Sequence, residues 1–297
     1  MEGRMELRHI RYFMAIAEEL NFTKAAEKLN IAQPPLSRQI KDLEEELGAP
    51  LFIRKAHNLQ LTEEGRLFMQ YASQILELAN KSMDDIGSMN KGLHGKIYIA
   101  TVEGHGPHLW ATWISGFSKL NPNVEFDLWT GTTDEIINRI HRGLCELAIV
   151  MEPFSDSETE EFKVYKEPWA AIIPASDELA SDRSAYVKPS ELIGKPLIIP
   201  SRQSRLKEIQ SWIGDEPVAL DVKCRVANLA NALELARLGV GISIFPFSAD
   251  ILGRDDSIVV KKIKHNDAIA SYLLIKNKNR QLSKAADEFL NYIRTVL

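Results

Sequence analysis

Two stretches near the start of the chain carry basic side chains with no acid among them. Gln33 to Lys41 contributes Arg38 and Lys41, and Leu51 to Leu61 contributes Arg54, Lys55 and His57. Cations gathered on two small surfaces suit contact with a phosphate backbone. Residues 5–66 as a whole hold nine Lys or Arg against ten Asp or Glu, so the basic character is local. Asp42, Glu44, Glu45 and Glu46 crowd the far end of the first stretch. A second group, Glu103, His105 and His108, is spaced closely enough for metal ligation, but Gly104, Gly106 and Pro107 describe a loop with no fourth ligand, and no metal is expected. Cys145 and Cys224 are too few for a disulfide framework or a cysteine zinc site. Trp110, Trp113, Trp129 and Trp169 could line an aromatic pocket, although packing is the commoner use. No phosphate loop, Gly-x-Ser-x-Gly elbow or His-Glu-x-x-His helix occurs. The sequence therefore points to no catalytic residue, no cofactor and no enzyme.

The elements that must position these groups follow from periodicity. Ile10, Phe13, Met14, Ala17 and Leu20 fall on one face of a helix from about Leu7 to Leu20. Thr23 can cap a short second helix, Lys24 to Leu29. Pro34 and Pro35 fit the first turn of a third, with Leu36, Ile40, Leu43 and Leu47 as its buried stripe and Gly48 as its end. A short helix, a tight turn and a helix with polar leading turns make a helix-turn-helix, which places its last helix in a DNA major groove. Leu51 to Leu61 reads as two short strands around a polar tip, a wing. Thr62 can cap a long helix from Glu63 to about Asn90. Its Phe68, Tyr71, Ile75 and Leu78, continued by Met83, Ile86 and Met89, could pack on its own winged domain, but their spacing favours a partner helix from another subunit.

After Gly95 the texture changes to short β runs alternating with helical stretches: residues 97–100, 126–129, 147–150, 170–173, 197–199, 220–222, 242–245 and 271–275. Most are too short and too uniformly apolar for a one-sided sheet, which predicts a mainly parallel sheet covered on both faces. Pro168, after the charged segment Glu158 to Glu167, is a plausible seam between two lobes, with a return crossing near residues 263–268. The 297 residues, 45% hydrophobic and 26% charged with net charge −5, are ordinary for a folded chain. No apolar run reaches the ~18 residues of a membrane span, and Met1 to Tyr12 lacks a signal peptide's apolar core. A cytoplasmic protein with no membrane partner is expected.

The segment Leu7 to Gly65 closely resembles the LysR-type transcriptional regulators. The residues that carry the match are Phe22-Thr23-Lys24-Ala25-Ala26, Ala32 to Ile40, Leu43 to Gly48, Leu51-Phe52-Ile53-Arg54 and Leu61 to Gly65. Gly143 to Ile149 and Leu238 to Ile242 resemble the family's effector domain more weakly. The resemblance implies an α/β chain with a winged helix-turn-helix over residues 5–62, a linker and dimerisation helix over 63–92, and a two-lobed effector domain resembling periplasmic binding proteins. One lobe is 95–166 with 267–297 and the other is 167–266. It implies that Gln33, Pro34, Pro35, Ser37 and Arg38 reach DNA, with Lys41 beside them and Arg54 as the wing arginine. Gln33 can pair with adenine, Arg38 with guanine or phosphate, and Ser37 with phosphate. Where the family often has a second wing arginine this chain has His57, with Lys55 as the substitute.

The resemblance further implies promoter DNA with an inverted-repeat site, homodimers pairing into homotetramers, and RNA polymerase as a partner compatible with that role. A small-molecule effector, commonly an organic acid, would lie between the lobes near Val102, Glu103, Gly104, His105, Thr132, Thr133, Trp169, Ser201, Arg202, Gln203, Val226 and Asn228. For Thr132 and Thr133, helix capping is as good a reading as ligand contact. Glu103 departs from the small hydroxyl common after the family's first strand, and an acid there disfavours a simple carboxylate. A solute-binding protein would share the two lobes but would not explain Gln33 to Arg38.

Overall fold

The computed structural model describes residues 5–55, 58–87, 93–213, 220–248 and 256–297. The chain divides into two compact units, residues 1–90 and 91–297.

The first unit comprises α1 (Leu7–Glu19), α2 (Phe22–Lys28), α3 (Gln33–Leu47), an antiparallel hairpin of β1 (Phe52–Lys55) and β2 (Asn58–Leu61), and α4 (Glu63–Gly87). Its core centres on Phe13, whose ring meets Phe52 at 5.2 Å and Phe68 edge-on at 4.8 Å. Ile10, Ile16, Leu36, Ile40 and Leu43 surround them. The expected stripes fail at their ends: Leu20 is 46% exposed and Leu47 40%. Leu20 turns out of the helix with φ 45°, and Ile16, one turn earlier, fills the core instead.

The cap of α2 is Asn21, not Thr23. Its Oδ1 accepts from the N–H of Thr23 at 2.9 Å and of Lys24 at 3.1 Å. A cap residue must be extended, as Asn21 is at φ −155°, whereas Thr23 already lies within the helix. Asn21→Ala is therefore expected to lower stability by about 1 kcal/mol, read as a lower denaturation midpoint, while Thr23→Ala leaves it nearly unchanged.

Two side chains fasten the hairpin. Glu44, on α3, accepts from the N–H of Leu51 at 2.7 Å and of Phe52 at 3.1 Å. Thr62 caps α4 by accepting from Gly65 N–H at 2.8 Å and donates to the Pro50 carbonyl at 2.7 Å. The apolar positions of α4 form two rows. Phe68, Ala72 and Ile75 pack on this unit's own core, while Leu67, Tyr71, Leu78 and Met83 are exposed. The single stripe read from spacing thus splits, because three-residue steps fall 60° behind a full turn. Met89 lies outside the described residues.

The second unit is one mixed sheet with helices on it. In chain order it runs β3 (Gly95–Thr101), α5 (Gly106–Leu120), β4 (Val124–Thr130), α6 (Thr133–Arg142), β5 (Leu147–Met151), β6 (Thr159–Pro174), α7 (Glu178–Ser181), β7 (Tyr186–Val187), a 3-10 turn (Pro189–Leu192), β8 (Leu197–Pro200), α8 (Gln203–Ile213), β9 (Val222–Val226), α9 (Leu229–Arg237), β10 (Ile242–Pro246), β11 (Ile258–Ile263), β12 (Ile269–Asn277) and α10 (Lys284–Val296). The strand order is β4-β3-β5-β12-β6-β10-β8-β9, with β11 also pairing β6 and β7 pairing β11. β3 is parallel to β4 and β5, and β8 to β9 and β10. The central strands are antiparallel: β6 pairs β12 over residues 159–168, then β10 and β11 over 169–174.

The charged segment Glu158 to Glu167 is therefore nearly all strand. Phe162 and Val164 turn inward while Glu161 and Lys163 face water, an alternation that the segment's charged composition conceals. Similarly, the run expected at residues 220–222 is displaced to β9, which contains Cys224. The tryptophans separate: Trp110 lies against Trp113 and Phe289, Trp129 lies under Arg139, and Trp169 packs against Trp212. Among the described residues no helix is long and apolar enough to cross a membrane.

Candidate functional site

On the first unit, α3 buries Leu36, Ile40 and Leu43 and turns its other side to water. Pro34, Pro35 and Arg38 are exposed, and Gln33 and Ser37 are half-exposed. The prolines occupy the first turn, where a missing N–H removes no helical bond. Arg38 makes no ion pair among the described residues, so the alternative partner Asp42 is not used. Lys41 reaches Glu45 at 3.2 Å with both side chains largely in water, a contact worth little. Gln39 is not available to a ligand in the same way, because His9 Nε2 meets its Oε1 at 2.9 Å and ties α1 to α3. Arg54 and Lys55 close β1. His57 lies outside the described residues.

On the second unit, a small cleft of about 80 Å³ opens where strands end, the general position for ligands on such sheets. Val102 and Glu103 enter it after β3, Thr132 and Thr133 after β4, Ser201 and Arg202 after β8, and Val226 after β9. Trp169 forms part of its wall. Gly104 and His105 instead line a neighbouring recess against α9. Gln203 and Asn228 are among the walls of neither. Asn228 caps α9, accepting from Asn231 N–H at 2.8 Å.

Several polar groups in the cleft already have partners. Thr132 and Glu135 form a capping box on α6. Thr133 caps nothing: it is buried, and its hydroxyl bridges the N–H and carbonyl of Met151 at 3.3 Å each. Arg202 makes a bidentate pair with Asp134, at 2.8 and 3.1 Å, and donates to the Pro153 carbonyl at 2.7 Å. The Glu103 carboxylate accepts from Leu229 N–H, the first of α9, and burial pushes its pKa above the ordinary carboxylate value.

Residues 7–66 match the family described as bacterial regulatory helix-turn-helix protein, lysR family, and residues 90–297 match the LysR substrate binding domain. The chain belongs to the LysR family of transcriptional regulators. The regulator is 31% identical over 280 residues to the HTH-type transcriptional regulator CatR of Pseudomonas putida, covering 92% of this chain and 93% of the relative. It is 30% identical over 282 residues to the HTH-type transcriptional regulator BenM of Acinetobacter baylyi, covering 92% and 90%. Among solved structures, CbnR, a LysR family transcriptional regulator, superposes with a TM-score of 0.79 over 98% of this chain and 99% of that one, at 24% identity. Full-length BenM gives 0.56 over 98% and 96%, at 29% identity. The regulator joins a DNA-binding helix-turn-helix to an effector-binding domain, and its family is not enzymatic.

Some cleft residues of this regulator escape a reading of the sequence. Arg205 is 4% exposed, pairs with Glu208 at 2.6 Å and lies over the Trp169 ring at 5.2 Å. Its signal is helical spacing, since Arg205 is three residues from both Arg202 and Glu208. Phe245 and Pro246 end β10 and line the cleft, as the rule that ligands lie beyond strand ends allows.

Behind the cleft the regulator buries a polar cluster on its two long strands. Tyr272 donates to Glu167 Oε1 at 2.6 Å, and Ser248 donates to the same carboxylate through its N–H at 2.6 Å and its hydroxyl at 3.0 Å. His105 N–H donates to the Tyr272 oxygen at 3.0 Å. Gly104, at φ 93°, brings the chain so near that hydroxyl that a Cβ would collide with it. The His105 ring stacks on Tyr165 at 3.7 Å, and burial, with His108 nearby, lowers its pKa. Among the described residues no three His, Cys, Asp or Glu side chains group as metal ligands.

Proposed function

We propose that this regulator binds promoter DNA at an inverted repeat and changes transcription when a small molecule occupies the cleft of its second unit. The observation that carries the DNA reading is Arg38, an exposed guanidinium without an ion pair on a helix whose opposite face is buried. Gln33 and Ser37 lie on the same leading turns, and Pro34 and Pro35 set how that end of the helix approaches the groove. Lys41, Arg54, Lys55 and His57 extend the basic surface along the phosphates.

Homodimers, pairing into homotetramers, supply the two-fold symmetry of such a site. The exposed row Leu67, Tyr71 and Leu78 on α4 supports this assembly, since a lone helix would leave it wet. Work on promoters places the protein in the cytoplasm, with RNA polymerase as the complex it influences. The effector reaches Thr132, Ser201, Val226 and Trp169 in the cleft. It need not be the organic acid implied by the resemblance, because the cations there are paired.

The test is footprinting over the DNA around its own gene at increasing salt. A protected inverted repeat, with affinity falling steeply as salt rises, is the expected result. A folded oligomer that protects no sequence in that region at low salt, with or without extracts containing candidate effectors, would count against the reading.

A further inference from the structure

The second unit's cleft is bordered by two arginines, and each already faces a carboxylate of the protein. Arg202 holds Asp134 with two nitrogens and the Pro153 carbonyl with the third. Arg205 holds Glu208. The first N–H of α9, a donor that an anionic ligand could use, is taken by Glu103 from across the cleft. The hydroxyls of Thr132 and Thr133 are engaged with Glu135 and Met151. What remains is an apolar wall of Val102, Met151, Trp169, Val226, Phe245 and Pro246, the uncharged hydroxyl of Ser201, and one carboxylate oxygen, Glu103 Oε1, that accepts no hydrogen bond among the described residues.

We propose that Glu103 is the specificity-determining residue of this cleft: it acts as a built-in carboxylate that excludes acids and selects a small neutral apolar or aromatic effector carrying a hydrogen-bond donor. The inference rests on the reading of the cleft as the effector site. An incoming carboxylate would meet Glu103 against low-dielectric walls with no spare cation to offset the repulsion. A neutral amide or hydroxyl gives its hydrogen to Glu103 Oε1 and lays its apolar part on Trp169 and Phe245. Arg202, held by both Asp134 and the Pro153 carbonyl, stays with Asp134.

Phenylacetamide and phenylacetate are matched in shape and differ in charge and donor, so the pair isolates the effect. Binding of each to the full chain is measured by calorimetry, for the wild type and for Glu103→Gln, Glu103→Ala and Val226→Trp. Glu103→Gln keeps an acceptor for Leu229 N–H while replacing the charged Oε1 with an uncharged amide nitrogen, so it stays informative where Glu103→Ala fails to fold. The wild type is expected to favour the amide by tenfold or more. Either Glu103 variant should narrow that ratio by at least tenfold, chiefly through tighter phenylacetate binding, and Val226→Trp, which fills the cleft, should abolish binding of both. Equal affinity of the wild type for the two probes, an unchanged ratio in the Glu103 variants, or no binding by any of these proteins overturns the proposal. Binding that survives Val226→Trp overturns the cleft reading along with it, whereas cleft-dependent binding without a preference sinks only the role of Glu103.

Discussion

Arg38→Ala should weaken binding to the protected DNA by about 5- to 150-fold, the equivalent of the ~1–3 kcal/mol of one good base pairing. Because Arg38 has no ion-pair partner among the described residues, the loss reports the DNA contact and not a damaged helix. Leu36, Ile40 and Leu43 still hold α3 in place, so circular dichroism and the denaturation midpoint should be unchanged. Titrations on cognate and scrambled fragments decide what Arg38 touches. A base contact lowers affinity for the cognate fragment alone, while a phosphate contact lowers both and reduces the salt slope by about one. Lys41→Ala should behave in the second way, since its partner Glu45 is a solvent-screened neighbour. Unaltered affinity in Arg38→Ala on every fragment would remove this face of α3 from the interface.

The buried cluster on β6 and β12 yields the second large effect. Glu167→Ala leaves the Tyr272 hydroxyl and the Ser248 N–H without their acceptor in a region where both residues are buried. Each stranded donor costs about 1–3 kcal/mol, so a loss of about 2–6 kcal/mol is expected in urea denaturation of the second unit. Tyr272→Phe leaves Glu167 its two Ser248 donors and strands only the half-buried His105 N–H, so it should cost less. The cluster also sets a pH dependence. Burial pushes Glu167 above the ordinary carboxylate value, so on the acid side of neutrality the folded chain retains a proton that the unfolded chain has lost. Stability contributed in this way is present below the ordinary value and falls as pH rises through the raised one. Glu103 and Glu208, also raised by burial, add with the same sign. Glu167→Gln should flatten the decline over that window; an identical pH profile in the variant would show that Glu167 does not titrate there.

The helices of the first unit were legible because each buries a face whose spacing is written locally: Ile10 to Phe13, and Leu36 through Ile40 to Leu43. Errors fell at boundaries. Thr23 and Asn21 are both good caps by type, and only the extended backbone at Asn21 separates them. The end positions Leu20 and Leu47 keep the helical spacing but lie past the last neighbour. In the second unit the positions beyond strand ends were readable from the alternation of strands and helices. What each side chain does there was not, because the partners are remote: Glu103 meets a residue 126 positions away, and Arg202 meets one 68 positions away. The first half of β6 was missed for a different reason. A strand with one wet face carries charges at alternate positions, and so does a solvated connection, so only the pairing with β12 distinguishes them.

β6 and β12 lie side by side in antiparallel register from Thr159 with Asn277 to Pro168 with Ile269, and β6 then continues into the other half of the sheet. Two bonded strands resist bending in the plane of their ladder far more than twisting about their length. Relative movement of the two halves is thereby reduced to one coordinate, a rotation about a short torsion bar. The Glu167 cluster fastens that bar near the end of the ladder, beside Pro168 and Ile269, where β6 passes into the other half.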